Sequence, residues 1–180
     1  MSAGLILVDI QNDYFEGGRM ELVGMESAAG NAAKVLWKFR SAGAPVFHVR
    51  HISKRPGATF FLPGTMGAEI HEGVMPQDGE PVVEKHYPNA FRETKLLEML
   101  RRAQLSSVVL CGAMSHMCID ATARAAFDHG FRCILVDDAC ATRNVSHRGR
   151  VVAAEDVHVA FMGALSGIYA ELVSADQLRI

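Results

Sequence analysis

Four short stretches of the chain, residues 5–10, 45–49, 107–111 and 133–136, are almost continuously apolar. They lack the alternation of a strand with one wet face, so they read as strands buried on both sides, the pattern of a covered parallel sheet. A weaker strand is expected at 81–85 and a last one at 170–173. Helical periods lie between them. Residues 26–41 are Ala-rich and stop before Gly43. Residues 91–103 gather Leu96, Leu97 and Leu100 on one face. Residues 118–129 stop at Gly130, and 153–168 are apolar on a helical period that Gly163 and Gly167 weaken towards its end. Strands alternating with helices predict an α/β fold, a three-layer αβα sandwich with a mostly parallel, doubly wound sheet, as a single domain over 1–180. Residues 53–80 break the alternation with Gly, Pro and the aromatic pair Phe60 and Phe61. This long connection is expected to fold over the functional edge of the sheet.

Charge and composition narrow the function. A formal charge of −2, with the basic residues scattered, gives no electrostatic footprint for nucleic acid. No apolar run is long enough to span a bilayer, so no membrane partner is expected. Residues 1–4 lack the basic start and long apolar run of an export signal, so a cytoplasmic protein with reduced thiols is expected. The four cysteines, 111, 118, 133 and 140, form no C-x-x-C pair. Cys111 and Cys133 lie inside apolar runs and read as small core residues, whereas Cys140 is left open. No glycine fingerprint for nucleotide phosphates follows any strand. The apolar surface of 151–168 suggests a homo-oligomer.

The chemistry gathers at strand ends. Ligands of a parallel sheet bind beyond the carboxyl ends of its strands. Asp9 ends the first strand, Lys85 ends the weak third, and Cys118 opens the helical pattern after the fourth. A thiol at a helix start lies beside unpaired backbone N–H groups and the positive end of the peptide dipoles, which favour a thiolate. Each residue alone has a plain reading: a turn-forming Asp, a solvated Lys, a packed Cys. Together they offer a nucleophile, a proton acceptor and a stabilising cation.

Residues 6–13 (Ile-Leu-Val-Asp-Ile-Gln-Asn-Asp), Glu84-Lys85 followed by Asn89-Ala90-Phe91, and 111–118 (Cys-Gly-Ala-Met-Ser-His-Met-Cys) resemble, in order and across nearly the whole chain, the signature blocks of the isochorismatase-like cysteine hydrolases. That superfamily includes nicotinamidases, N-carbamoylsarcosine amidases and isochorismatases. Residues 57–64 more faintly resemble streptothricin-hydrolase-like members. The resemblance implies a catalytic triad of Asp9, Lys85 and Cys118, a cis peptide between Ala113 and Met114, and an oxyanion hole formed by the N–H groups of Met114 and Cys118. It implies hydrolysis of a small-molecule amide-type C–N bond through a thioester. The alternatives are isochorismatase-type vinyl-ether hydrolysis and a non-enzymatic redox-sensing thiol. Nicotinamidases of the superfamily hold a metal through an Asp-x-His block after the second strand. Here the corresponding residues are Val49-Arg50-His51-Ile52-Ser53, without that Asp. No metal or cofactor is therefore expected, and His48, His51, His71 and His86 read as polar loop and strand-end residues. Gln11, Phe15, Phe60, Phe61 and Phe91 are candidates for the substrate pocket. His116 reads as shaping the turn before Cys118 rather than as a base.

Overall fold

The computed structural model describes residues 3–180. Six strands form one sheet: β1 (Ala3–Val8), β2 (Val46–His51), β3 (Val82–Lys85), β4 (Ser107–Ala113), β5 (Arg132–Ala141) and, last in the chain, β8 (Glu171–Val173). Their spatial order is β3-β2-β1-β4-β5-β8, and every pairing between neighbours is parallel. The chain leaves β1 towards β2 on one side, while β4 lies on the other. The order therefore reverses between β1 and β4, which opens a crevice at their carboxyl ends.

Both faces of the central strands are buried, which is why their sequences do not alternate. On β1, Leu5 and Leu7 join one core with Val109, Cys111 and Ala113 of β4. Ile6 and Val8 join the opposite core with Val108 and Leu110. Helix α1 (Met25–Ser41) covers the first face with Ala28, Ala32, Val35, Leu36 and Phe39, spaced three and four residues apart. The second face is covered by α2 (Leu96–Arg102), α3 (Asp120–Asp128) and α4 (Ala154–Leu165), through residues such as Leu96, Leu100, Ala123 and Met162. No helix among the described residues is long and apolar enough to cross a membrane.

Several boundaries differ from the sequence reading. Helix α2 begins at Leu96 rather than 91, because Glu93 takes a left-handed backbone (φ +57°) that a helix cannot absorb. Strand β5 runs on past 136 to Ala141, through a register shift between Leu110 and Gly112 of β4, and carries Cys140 into the core. Helix α4 ends at Leu165, just before Gly167 at φ +82°. Strands β6 (Val145–His147) and β7 (Arg150–Val152) form an unforeseen hairpin. Its two-residue turn, Arg148-Gly149, has positive φ at both positions, the handedness that matches strand twist. The 53–80 segment is ordered by single 3₁₀ turns at Met66–Ala68 and Glu72–Val74 and by a bridge between Ile70 and Gln11.

Candidate active site

Asp9 follows β1 directly and adopts φ +53°, so the chain turns sharply off the sheet. Its N–H donates to Val49 O at 3.0 Å, and its carbonyl accepts from Gln11 N–H at 3.0 Å. Lys85 is the last residue of β3 and lies in register with His51 of β2. Cys118 comes from the wide helical turn Ser115–Ile119, which precedes α3. Gly112 lets that turn start close to β1. A Cβ there would stand 2.0 Å from Val8 O, at a backbone φ of +126°. The Ala113–Met114 peptide that follows is cis.

These three chain segments meet. Lys85 Nζ lies 2.7 Å from Asp9 Oδ2 and 3.2 Å from Cys118 Sγ. It also lies 3.0 Å from His51 Nδ1 and 3.1 Å from Tyr87 O. Asp9 and Lys85 are fully buried, and Cys118 is 5% exposed. The Asp9–Lys85 contact is a close ion pair outside hydrogen-bond angles, and neither Asp9 oxygen has an aligned donor. A buried carboxylate in that condition retains capacity to accept a proton.

The electrostatics correct one expectation. Burial pushes the Cys118 thiol up, the Asp9 charge adds to that, and Lys85 only partly opposes it, so the resting sulfur is a protonated thiol. Sequence reasoning placed Cys118 at a helix start and expected a lowered value. Helix α3 begins two residues later, and the sulfur is enclosed beside a carboxylate. Burial alone would push the Lys85 ammonium down, but Asp9 and then Cys118 outweigh it and hold it above its ordinary value. Burial and the Lys85 charge hold His51 down at about 4, so it is neutral at neutral pH. Burial pushes the Tyr14 phenol up, and the nearby Asp9 carboxylate adds to that, so it stays a neutral phenol.

Asp9, His51 and Cys118 place ligating atoms within 4.8 Å of one another. The Lys85 ammonium touches all three and supplies the positive charge there, an arrangement that does not fit a resident metal ion. Of the other histidines, His48 contacts Glu80 at 2.9 Å and His71 stacks on Phe15, while His86 lines the cleft above the sulfur with its Nδ1 2.8 Å from Ile52 O.

A cleft of about 810 Å³ opens over the sulfur. Phe60 and Phe61 line it, together with Tyr14, His51, Met114 and Met117. The other three pocket candidates lie outside this cleft. Gln11 is buried behind it and donates from Nε2 to His51 O (2.9 Å) and Ala68 O (2.7 Å), tying β2 to the long segment. Phe15 stacks on His71 with ring centroids 3.7 Å apart. Phe91 packs into the second core, edge-on to His129. His116 contacts Thr142 Oγ1 at 2.5 Å and so fastens the turn to the end of β5. Sequence reasoning missed Asp13. Its buried carboxylate accepts from Phe61 N–H (2.6 Å) and Arg19 N–H (3.2 Å), holding the aromatic wall in place. Gly67 packs so tightly on that carboxylate that a Cβ would lie 2.1 Å from it. The only advance signal was a second Asp four residues after the first.

The family model described as the isochorismatase domain matches residues 3–177. The uncharacterized isochorismatase family protein YddQ of Bacillus subtilis is 51% identical over 98% of both chains. Nicotinamidase 3 of Arabidopsis thaliana is 31% identical over 98% of this chain and 87% of its own. A crystal structure of a protein from Oleispira antarctica, assigned as an isochorismatase hydrolase, superposes with a TM-score of 0.94 at 50% identity, covering 98% of this chain and 95% of that one.

Proposed function

The chain belongs to the isochorismatase family of hydrolases, and from that premise we propose that it is a cysteine amidohydrolase acting on a small-molecule amide-type C–N bond. One observation carries the reading: a single buried ammonium, Lys85 Nζ, lies between a carboxylate at 2.7 Å and a thiol at 3.2 Å, at the base of a cleft. A relative of the chain is a nicotinamidase, which supports an amide as the bond cleaved.

Asp9 takes the Cys118 proton as sulfur attacks the carbonyl carbon, and Lys85 stabilises the forming thiolate. The N–H groups of Met114 and Cys118 receive the developing oxyanion. When the intermediate collapses, the C–N bond breaks and the leaving amine carries off the proton held by Asp9. A water then gives a proton to Asp9 and its oxygen to the thioester carbonyl. The S–C bond breaks, the acid leaves, and the Asp9 proton returns to sulfur. A redox-sensing thiol would call for an exposed, readily ionised sulfur. Cys118 is buried and protonated, which favours hydrolysis.

A panel of amides, ureides and lactams assayed for ammonia or amine release tests the reading. Turnover is expected for at least one class, with an acyl adduct on Cys118 trapped by acid quench and found by mass spectrometry. Cys118→Ala is expected to fold normally and lose turnover. Undiminished hydrolysis by that variant would overturn the proposal.

A further inference from the structure

The rim of the cleft carries more positive charge than it pairs. Lys54 and Arg55 enter it from the long segment, and Arg143 from the chain just beyond β5. Among the described residues none of the three meets a carboxylate, and the Arg143 guanidinium donates only to Asn144 O, at 3.3 Å. Arg50, at the end of β2 beside the same sheet edge, is by contrast bridged by Glu69 at 2.9 Å and Glu84 at 3.3 Å. The one acidic residue lining the cleft is Glu93, and Arg92 already faces it at 3.8 Å. Asp9, behind the sulfur, is neutralised by Lys85. His51 adds no charge at neutral pH. The whole chain is net negative at −2, so this excess is local to the site. Beneath the cations the walls are apolar and aromatic, Phe60, Phe61 and Met114 among them. A guanidinium with free donors at the mouth of an apolar cleft is suited to grip a planar oxyanion.

We infer that the substrate is a small amide carrying a carboxylate at the end remote from the scissile bond, held by Arg143 with Lys54 and Arg55 while its carbonyl lies over Cys118. This deepens the amidohydrolase reading and rests on it for the identity of the scissile bond. Its charge preference can be measured without turnover.

Iodoacetate and iodoacetamide alkylate the same sulfur and differ in charge. Their rates at Cys118, read by peptide mass spectrometry, are divided by their rates with N-acetylcysteinamide, which removes intrinsic reactivity. The normalised preference for the anion is expected to exceed unity by about fivefold or more at low salt and to shrink at high salt. Arg143→Gln, and separately Lys54→Gln with Arg55→Gln, should each lower it by about threefold. A preference near unity that is indifferent to these substitutions would overturn the inference, whatever amide is cleaved. Glutarate should protect Cys118 from iodoacetamide; protection by inorganic phosphate alone would overturn the carboxylate assignment. In turnover, succinamate should outpace butyramide about tenfold or more in kcat/KM, with the gap narrowed by Arg143→Gln. Equal hydrolysis of both would sink the charge preference and leave the cysteine chemistry standing. Failure to cleave any amide would instead count against the hydrolase reading.

Discussion

Replacing Lys85 by Met tests the ion pair on which both the site's stability and its proposed chemistry depend. Lys85 and Asp9 are fully buried, 2.7 Å apart. Removing the ammonium strands the carboxylate away from water, and breaking a buried pair in this way costs about 3–5 kcal/mol. Met retains most of the apolar stem, so little of the loss is packing. Asp9→Asn removes the opposite charge with a residue that tolerates the left-handed backbone there (φ +53°). The ammonium would still meet His51 Nδ1 at 3.0 Å, Tyr87 O at 3.1 Å and Cys118 Sγ at 3.2 Å. This variant should therefore lose less, about 1–3 kcal/mol. With both substitutions no charge is stranded, and the double variant should be less damaged than the sum of the singles by about 1–3 kcal/mol. Urea unfolding followed by far-ultraviolet circular dichroism measures the cycle. The single tryptophan, Trp37, is 69% exposed and would report poorly. In a chain of this size Lys85→Met alone should lower Tm by roughly 6–20 °C. If the two losses add to within about 0.5 kcal/mol, the charges do not feel each other and the reasoning fails.

His51 is held down at about 4 in the fold against an ordinary value near 6.5, so between those pH values the unfolded chain binds a proton that the folded one does not. Stability should therefore rise with pH across that window and fall as pH drops through it, by at most about 3 kcal/mol for this group. His51→Asn should flatten that part of the Tm–pH curve, and parallel curves would refute the assignment. Gly112→Ala would drive a Cβ to 2.0 Å from the Val8 carbonyl at φ +126°, so soluble, folded protein should be lost. A variant with wild-type Tm would contradict the close approach of β4 to β1. Asp13→Ala removes the acceptor of the 2.6 Å bond from Phe61 N–H, worth about 1.5–3 kcal/mol as a charge-assisted bond. Tryptic cleavage after Lys54 should then accelerate about tenfold or more, and an unchanged rate would show that the long segment is held elsewhere.

The layers of the fold were legible because burial on both faces leaves a strong mark. Runs such as 107–111 have no polar side to disguise them, and the helices between them keep their period. Where the sequence misled, backbone conformation outweighed pattern. Leu96, Leu97 and Leu100 carry the helical period, yet residues 91–95 are turns because Glu93 turns left-handed. The same limit explains the pocket. Gln11, Phe15 and Phe91 are residue types that line clefts equally well as they fill cores, and each was spent on internal contacts that only the register of distant segments decides. Asp9, Lys85 and Cys118 could be found because strand ends of a parallel sheet converge on one edge, whatever the loops do. Arg143, Lys54 and Arg55 could not, since nothing in a sequence says which surface cations lack a partner.

The protonated state of Cys118 changes what the proposed triad has to do. A thiolate stored in advance would need a positive site, and it would be exposed to oxidation between turnovers. Here burial and Asp9 keep the proton on sulfur, while Lys85 offsets the carboxylate without ionising the thiol. In the proposed reaction, proton transfer is then coupled to attack: the carboxylate gains its proton as negative charge moves from sulfur to the carbonyl oxygen. The total charge of the buried group is the same before and after the transfer, which avoids placing a net charge in a region that cannot solvate it. That constraint also gives the lysine its place. An ammonium in contact with both Asp9 and Cys118 stabilises the negative charge wherever it resides along the transfer, which a cation bound to only one of them could not do.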